Sequence, residues 1–152
     1  MSGLKAKLLG GALAIAVPLV GYYEGRNLAA YLDPVGIPTI CYGSTQGVKI
    51  GQTRTAEECD ALLATELGEA ITTVDRLARG PLPDTRRAAL GSFVYNVGAG
   101  AFERSTLLRK LNAGDVAGAC AELSRWVYAG GRKLGGLVKR RSAERELCEV
   151  GL

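Results

Sequence analysis

Histidine is missing from this chain altogether. It is the side chain whose ordinary pKa falls between about pH 5 and 8, so without it acid–base chemistry must rest on carboxylates. A zinc site is unexpected for the same reason. The four cysteines, Cys41, Cys59, Cys120 and Cys148, show no Cys-x-x-Cys spacing and have no imidazole to complete a ligand set. Neither a metal nor another cofactor is expected. Aromatic residues are few, 6% of the chain. Only Trp126 and Tyr128 precede the basic C-terminal stretch, too little interleaving for a nucleic-acid-binding module. No internal repeat or low-complexity tract is present. A permanent transmembrane helix needs about 20 apolar residues. The uncharged run Leu8–Tyr23 has sixteen residues, and it is diluted by Gly10, Gly11, Gly21, three alanines and Pro18.

What remains is a globular composition, 47% hydrophobic and 22% charged over 152 residues, enough for one compact unit arranged as two lobes. The net charge is +4. Arg and Lys concentrate at 132–145, a basic helix with its preceding loop. That helix reads either as a solvated face or as an attraction to anionic polymers.

The densest chemistry lies between Glu24 and Thr39. Glu24 closes an apolar segment, Asp33 follows nine residues later in a turn-rich stretch, and Thr39 follows six after that. Two carboxylates across a turn with a hydroxyl nearby are the parts needed to cut a glycosidic bond. The plain alternative is a pair of surface acids flanking a turn. The pattern Glu-x8-Asp-x5-Thr, with Gly25 and Tyr31 in place, resembles the signature of phage lysozymes, the T-even-type muramidases of glycoside hydrolase family 24. Thr39-Ile-Cys-Tyr-Gly43 looks like that family's first β-hairpin, and Ser92-Phe-Val-Tyr-Asn-Val-Gly98 resembles a helix lining its cleft. Phe102, Ser105–Asn112, Trp126–Gly131 and Gly136–Arg141 are similar to the C-terminal lobe of lambdoid endolysins. The likeness runs in order from residue 24 to about 149. It departs at Ser44, where many relatives carry histidine.

The resemblance implies a mostly helical α+β, lysozyme-like fold: a small β lobe, a long connecting helix, a helical C-terminal lobe and a cleft between. It implies a monomeric inverting muramidase acting on peptidoglycan glycan strands, at the β-1,4 bond between N-acetylmuramic acid and N-acetylglucosamine. Asp33 and Thr39 would position the attacking water. Tyr95 and Asn96 are candidate substrate-binding residues, with a core aromatic and a surface amide as the alternative. Placing Glu24 where an apolar helix ends gives it desolvated surroundings, which suit a general acid. A lytic transglycosylase needs only the one acid, and the presence of Asp33 and Thr39 speaks against it. A non-catalytic wall-binding protein gains nothing from burying Glu24. A basic membrane-disrupting protein would not need Glu24.

Lys5 and Lys7 before the apolar run form the positive start of an export segment. A cleaved signal peptide, a permanent anchor and a weak anchor that can leave the bilayer compete, with a soluble helix packed on the core as the plain alternative. Seven Leu, Ile and Val residues supply only a few kcal/mol of insertion energy at about −0.3 to −0.6 kcal/mol each, which favours the weak anchor. This resembles the signal-anchor-release segment of lambdoid endolysins. Residues 1–23 would then tether a muramidase domain, 24–152, to the inner membrane after export by the host Sec translocon, on the periplasmic side. The lack of a polar face across Leu8–Val20 counts against the packed soluble helix. In an oxidising compartment the cysteines pair. Three connectivities are possible; placement near helix ends favours Cys41–Cys59 and Cys120–Cys148.

Gly36 to about Lys49 reads as a short hairpin or small sheet, with Gly43 and Gly47 as turn residues. Thr55-Ala-Glu-Glu58 is a capping box that opens a long helix with Leu63, Leu67, Ala70, Val74 and Leu77 on one face, stopped at Gly80-Pro-Leu-Pro83. Helices are predicted at about 84–98, 105–113, 115–127 and 136–149.

Overall fold

Helix α1 spans Gly3–Glu24 in the computed structural model, which describes residues 3–152, with side chains from residue 9 onward. The Lys5 and Lys7 charges of the expected export segment lie outside the described side chains. Leu9, Ala12, Ala16 and Val20, three or four residues apart, are buried on one face of α1. They pack on Leu63, Leu67 and Ile71 of α2 (Ala56–Leu77) and on Ala88 of α3 (Asp84–Val97). The exposed side carries Gly10, Gly11, Ala14 and Pro18. The absence of a polar face therefore does not prevent packing. Small residues leave little apolar area in water, and exposed Pro18 lets solvent reach the carbonyl that its missing N–H leaves free. No helix among the described residues is long and apolar enough to cross a membrane.

The sheet begins earlier than the sequence suggested. Strand β1 (Asn27–Leu32) pairs antiparallel with β2 (Pro38–Cys41), with Tyr31 opposite Thr39. The hairpin turn is thus Asp33–Ile37. Past β2, an isolated bridge between Ile40 and Ser44 folds Tyr42 and Gly43 back on the strand. Helix α2 starts as predicted: Thr55 accepts from the Glu58 N–H and Glu58 reaches back to the Thr55 N–H. That backbone bond holds the Glu58 carboxyl below its usual range. The predicted apolar face of α2 packs inward, with Leu63, Leu67, Ala70 and Val74 buried. At Gly91 a Cβ would come within 2.6 Å of Ile71 Cγ1, so only glycine permits this approach of α3 to α2.

The helical lobe continues with α4 (Ala99–Glu103), which the sequence did not announce, then α5 (Thr106–Asn112) and α6 (Val116–Glu122). A 3-10 turn at Leu123–Arg125 and a two-residue hairpin, β3 (Tyr128–Ala129) with β4 (Arg132–Lys133), lead into α7 (Gly135–Glu149). Phe93, Phe102, Leu107, Leu108, Leu111 and Leu123 are among the buried residues of its core. Two disulfides close loops: Cys41–Cys59 joins β2 to α2, and Cys120–Cys148 joins α6 to α7, with Cα separations of 5.0 and 5.7 Å.

Candidate active site

Glu24 is the last residue of α1, and the chain leaves the helix through Gly25 at φ +70°. Its side chain is 23% exposed, and Oε1 lies 2.5 Å from Arg140 Nη1 on α7. On the other side, a Cβ built on Gly43 would stand 3.4 Å from Glu24 Oε2. Gly43 has φ +95°, so the backbone conformation there favours glycine. The Tyr23 hydroxyl donates to the Lys139 carbonyl at 3.3 Å, tying the end of α1 to α7.

Asp33 sits in the β1–β2 turn. Its Oδ1 accepts the N–H groups of Val35 and Ile37, both at 2.9 Å. Oδ2 has no hydrogen-bond partner among the described residues. Thr39, 4% exposed, donates its hydroxyl proton to the Ile37 carbonyl at 2.9 Å. A hydroxyl whose proton is used in this way can meet a water only as an acceptor.

Tyr95, on α3, donates its hydroxyl to the Tyr42 carbonyl at 2.7 Å. Burial, followed by the nearby Glu66 and Glu24 carboxylates, pushes its pKa up, so the phenol keeps its proton. Asn96 is exposed, and its side-chain oxygen accepts from Arg141 Nη2. Between the Tyr42–Ser44 turn, α2 and α3 opens a cavity of about 400 Å³, lined among others by Gly43, Ser44, Glu66, Glu69 and Tyr95.

The basic helix reading fails for two of its arginines: Arg140 and Arg141 are 4% and 1% exposed. Arg140 lies between carboxylates, with Nη1 on Glu24, Nε 3.4 Å from Glu144 Oε2 and Nη2 3.3 Å from the Ser92 carbonyl. Glu144 is fully buried; it accepts from the Ser92 hydroxyl at 2.6 Å and lies 3.0 Å from Arg141 Nη1. That Arg141 contact has ion-pair distance without hydrogen-bond geometry, which leaves Nη1 and Glu144 Oε1 without hydrogen-bond partners. Arg141 also stacks over the Phe93 ring at 5.0 Å. Burial pushes the Glu144 carboxyl up, opposed by both guanidiniums and the Ser92 hydroxyl. The only sequence signal for this network was Arg140 and Arg141 standing four and three residues before Glu144 on one helix, a spacing equally usual on a solvated face. No cluster of His, Cys, Asp or Glu able to hold a metal occurs among the described residues.

The family model described as phage lysozyme matches residues 21–144. The SAR-endolysin of Bacteriophage PS119 is 45% identical over 157 residues, covering 99% of this chain and 94% of its own length. Among solved structures, the muramidase domain of SpmX from Asticaccaulis excentricus superposes with a TM-score of 0.82 at 34% identity, covering 88% of this chain and 94% of that one. The active form of P1 phage endolysin Lyz superposes at 0.79 with 26% identity, covering 88% of this chain and 82% of its own.

Proposed function

This chain belongs to the phage lysozyme family and is a peptidoglycan-lysing endolysin; on that premise we propose that it is an inverting muramidase with Glu24 as its general acid. The bond cut is the β-1,4 linkage between N-acetylmuramic acid and N-acetylglucosamine. The observation that carries the reading is the placement of Glu24, half-buried with one oxygen held by Arg140 and the other facing the Gly43 backbone. Because Oε1 is engaged, Oε2 is the oxygen that passes its proton to the leaving glycosidic oxygen. Asp33 Oδ2 and Thr39 Oγ1 are both available as acceptors. A water donating one hydrogen to each keeps a lone pair for attack on the anomeric carbon. Asp33 takes the proton released as the new C–O bond forms, and the anomeric configuration inverts. Tyr95 lines the adjoining cavity, and Asn96, exposed on the same helix with its amide oxygen on Arg141, is the substrate-side residue of the pair.

The test is clearing of purified murein by wild type and by Glu24→Gln. The variant should fold and lose several orders of magnitude, since a general acid alone contributes about 10²–10⁴-fold. Clearing at the wild-type rate would remove Glu24 from the mechanism. NMR of the first product anomer, α for inversion, tests the stereochemistry, and an anhydro-sugar product would instead mean a transglycosylase.

We further propose that residues 1–23 form a releasable anchor, exported through the host Sec machinery, which holds the monomeric enzyme at the inner membrane before it acts in the periplasm. The similarity to SAR-endolysins supports this, as does an apolar run too weak for a permanent span. The packed α1 corresponds to the released state. N-terminal sequencing of the periplasmic protein should find the segment retained; a start just after Ala14 or Ala16 would make it an ordinary signal peptide.

A further inference from the structure

Tyr95 stands where the α1–α2 apolar cluster meets the core of the helical lobe, packed against both. Its hydroxyl reaches 53 residues back in sequence to the Tyr42 carbonyl. Tyr42 is held at its other end too: its phenol donates to Asp60 Oδ1 on α2 at 2.6 Å, and its ring faces Gly21, one turn before Glu24, where a Cβ would lie 3.7 Å away. The carbonyl that Tyr95 holds belongs to the peptide joining Tyr42 to Gly43, and the Gly43 backbone forms the wall beside Glu24 Oε2. The turn itself is conformationally costly. Cys41 has φ +61° and Gly43 has φ +95°, and a non-glycine residue in that region persists only where its surroundings hold it.

We propose that Tyr95 is a positioning residue rather than a sugar contact: by clamping the Tyr42 carbonyl from across the cleft, it holds Gly43 against Glu24 and fixes the oxygen that delivers the proton. This rests on Glu24 being the acid. The hydroxyl is directed at the peptide carbonyl and its proton is used there, so it has no second proton for a substrate oxygen. Without it, the Tyr42–Gly43 peptide loses its one side-chain anchor on the carbonyl, and the Gly43 surface beside Glu24 Oε2 is held less firmly. Proton transfer needs the reacting atoms near 3 Å, and a displacement of about 1 Å lowers rate by about 100-fold.

The experiment measures kcat and KM on solubilised murein glycan strands for wild type, Tyr95→Phe, Gly43→Ala, Glu24→Gln and the Tyr95→Phe/Glu24→Gln pair, with thermal melts of each. Phenylalanine keeps the ring and its packing and removes the hydroxyl, with its bond to the Tyr42 carbonyl and its contact with the Glu66 carboxylate. Tyr95→Phe should lower kcat about 10- to 100-fold with KM within about twofold. Gly43→Ala keeps the Tyr95 hydroxyl but puts a Cβ on a backbone at φ +95°, which disturbs the same turn from within, and should show the same kcat-selective loss. In the Glu24→Gln background, Tyr95→Phe should add nothing. A raised KM with unchanged kcat in Tyr95→Phe would make Tyr95 a substrate contact and overturn the proposal, as would unchanged kinetics in Tyr95→Phe or in Gly43→Ala. A further undiminished fall in the double variant would show action independent of Glu24 and overturn it as well. An active Glu24→Gln rejects Glu24 as the acid, and the clamp with it, whereas an inactive Glu24→Gln beside a fully active Tyr95→Phe rejects the clamp alone.

Discussion

Arg140 supplies what Glu24 lacks in its own element. The guanidinium fork reaches three partners on α1, α3 and α7 at once: Glu24, the Ser92 carbonyl and Glu144. A lysine ammonium has no planar fork and cannot span them. Arg140→Met leaves two carboxylates facing an uncharged side chain. Removing one partner from a buried ion pair costs about 3–5 kcal/mol, so the urea midpoint should fall accordingly and lysis should fall with it. Arg140→Lys keeps the charge but not the fork, and should recover part of the urea resistance while staying impaired in lysis. Lysis at the wild-type rate by Arg140→Met would reduce Arg140 to a structural role.

At the scale of elements, α1 satisfies two surroundings with one sequence. Between Leu9 and Val20 its buried residues are apolar and its fully exposed ones are Gly10, Gly11, Ala14 and Pro18, so in the proposed move from lipid to protein this stretch leaves no charge stranded. Gly10 and Gly11 differ in the packed state. A side chain at Gly10 meets nothing within 4 Å, whereas one at Gly11 runs into the Asp84 carboxylate at the start of α3. Gly10→Leu should therefore strengthen only the membrane hold and delay lysis in a timed induction. Gly11→Leu should in addition lower the melting temperature of the purified enzyme, since Asp84 is bonded to Arg87 at 2.9 Å. Equal melting temperatures for the two variants would contradict this docking. Another link joins α5 to α6, where Lys110 Nζ lies 2.7 Å from Glu122 Oε1. The Lys110 bond holds the Glu122 carboxyl below its usual range, against its desolvation. A carboxyl lowered on folding stabilises above its unfolded pKa and loses that contribution as pH falls through the folded value. Lys110→Met should thus cost stability at neutral pH, and the difference from wild type should close in acid melts.

Across the whole molecule, the two disulfides divide their labour by position. Loop-closure entropy gives each about 3 kcal/mol, Cys41–Cys59 over a sequence separation of 18 and Cys120–Cys148 over 28. Cys120 and Cys148 pin α6 to α7 inside the helical core. Cys41 lies two residues before Gly43, in the turn that faces Glu24. Replacing Cys120 and Cys148 by alanine should lower the melting temperature with kcat nearly intact. Replacing Cys41 and Cys59 should lower both, and equal kcat in the two double variants would show that the turn beside Glu24 does not depend on its disulfide.

Local interactions were readable in the residues themselves. The Thr55–Glu58 capping box, the three-and-four spacing along α2 and the Pro-rich stop after it act over a few residues, and the family signature from Glu24 to Thr39 is likewise contiguous. Strand β1 was not readable: it is exposed along almost its whole length, so it carries no alternation, and its pairing is set by the partner strand. Helix α4 and the β3–β4 hairpin are too short to show a period. The basic stretch at 132–145 looked uniform, yet packing buried Arg140 and Arg141 while Arg132 and Lys133 stayed exposed. The acid, the turn carboxylate and the hydroxyl were thus determined by sequence alone as candidates. The partners of Glu24, which are Arg140 116 residues away and the Gly43 wall fixed through Tyr95, were decided only by the tertiary structure. Short-range hydrogen bonding and periodicity leave a mark on neighbouring residues, whereas a contact between distant helices exists only once the chain has closed on itself.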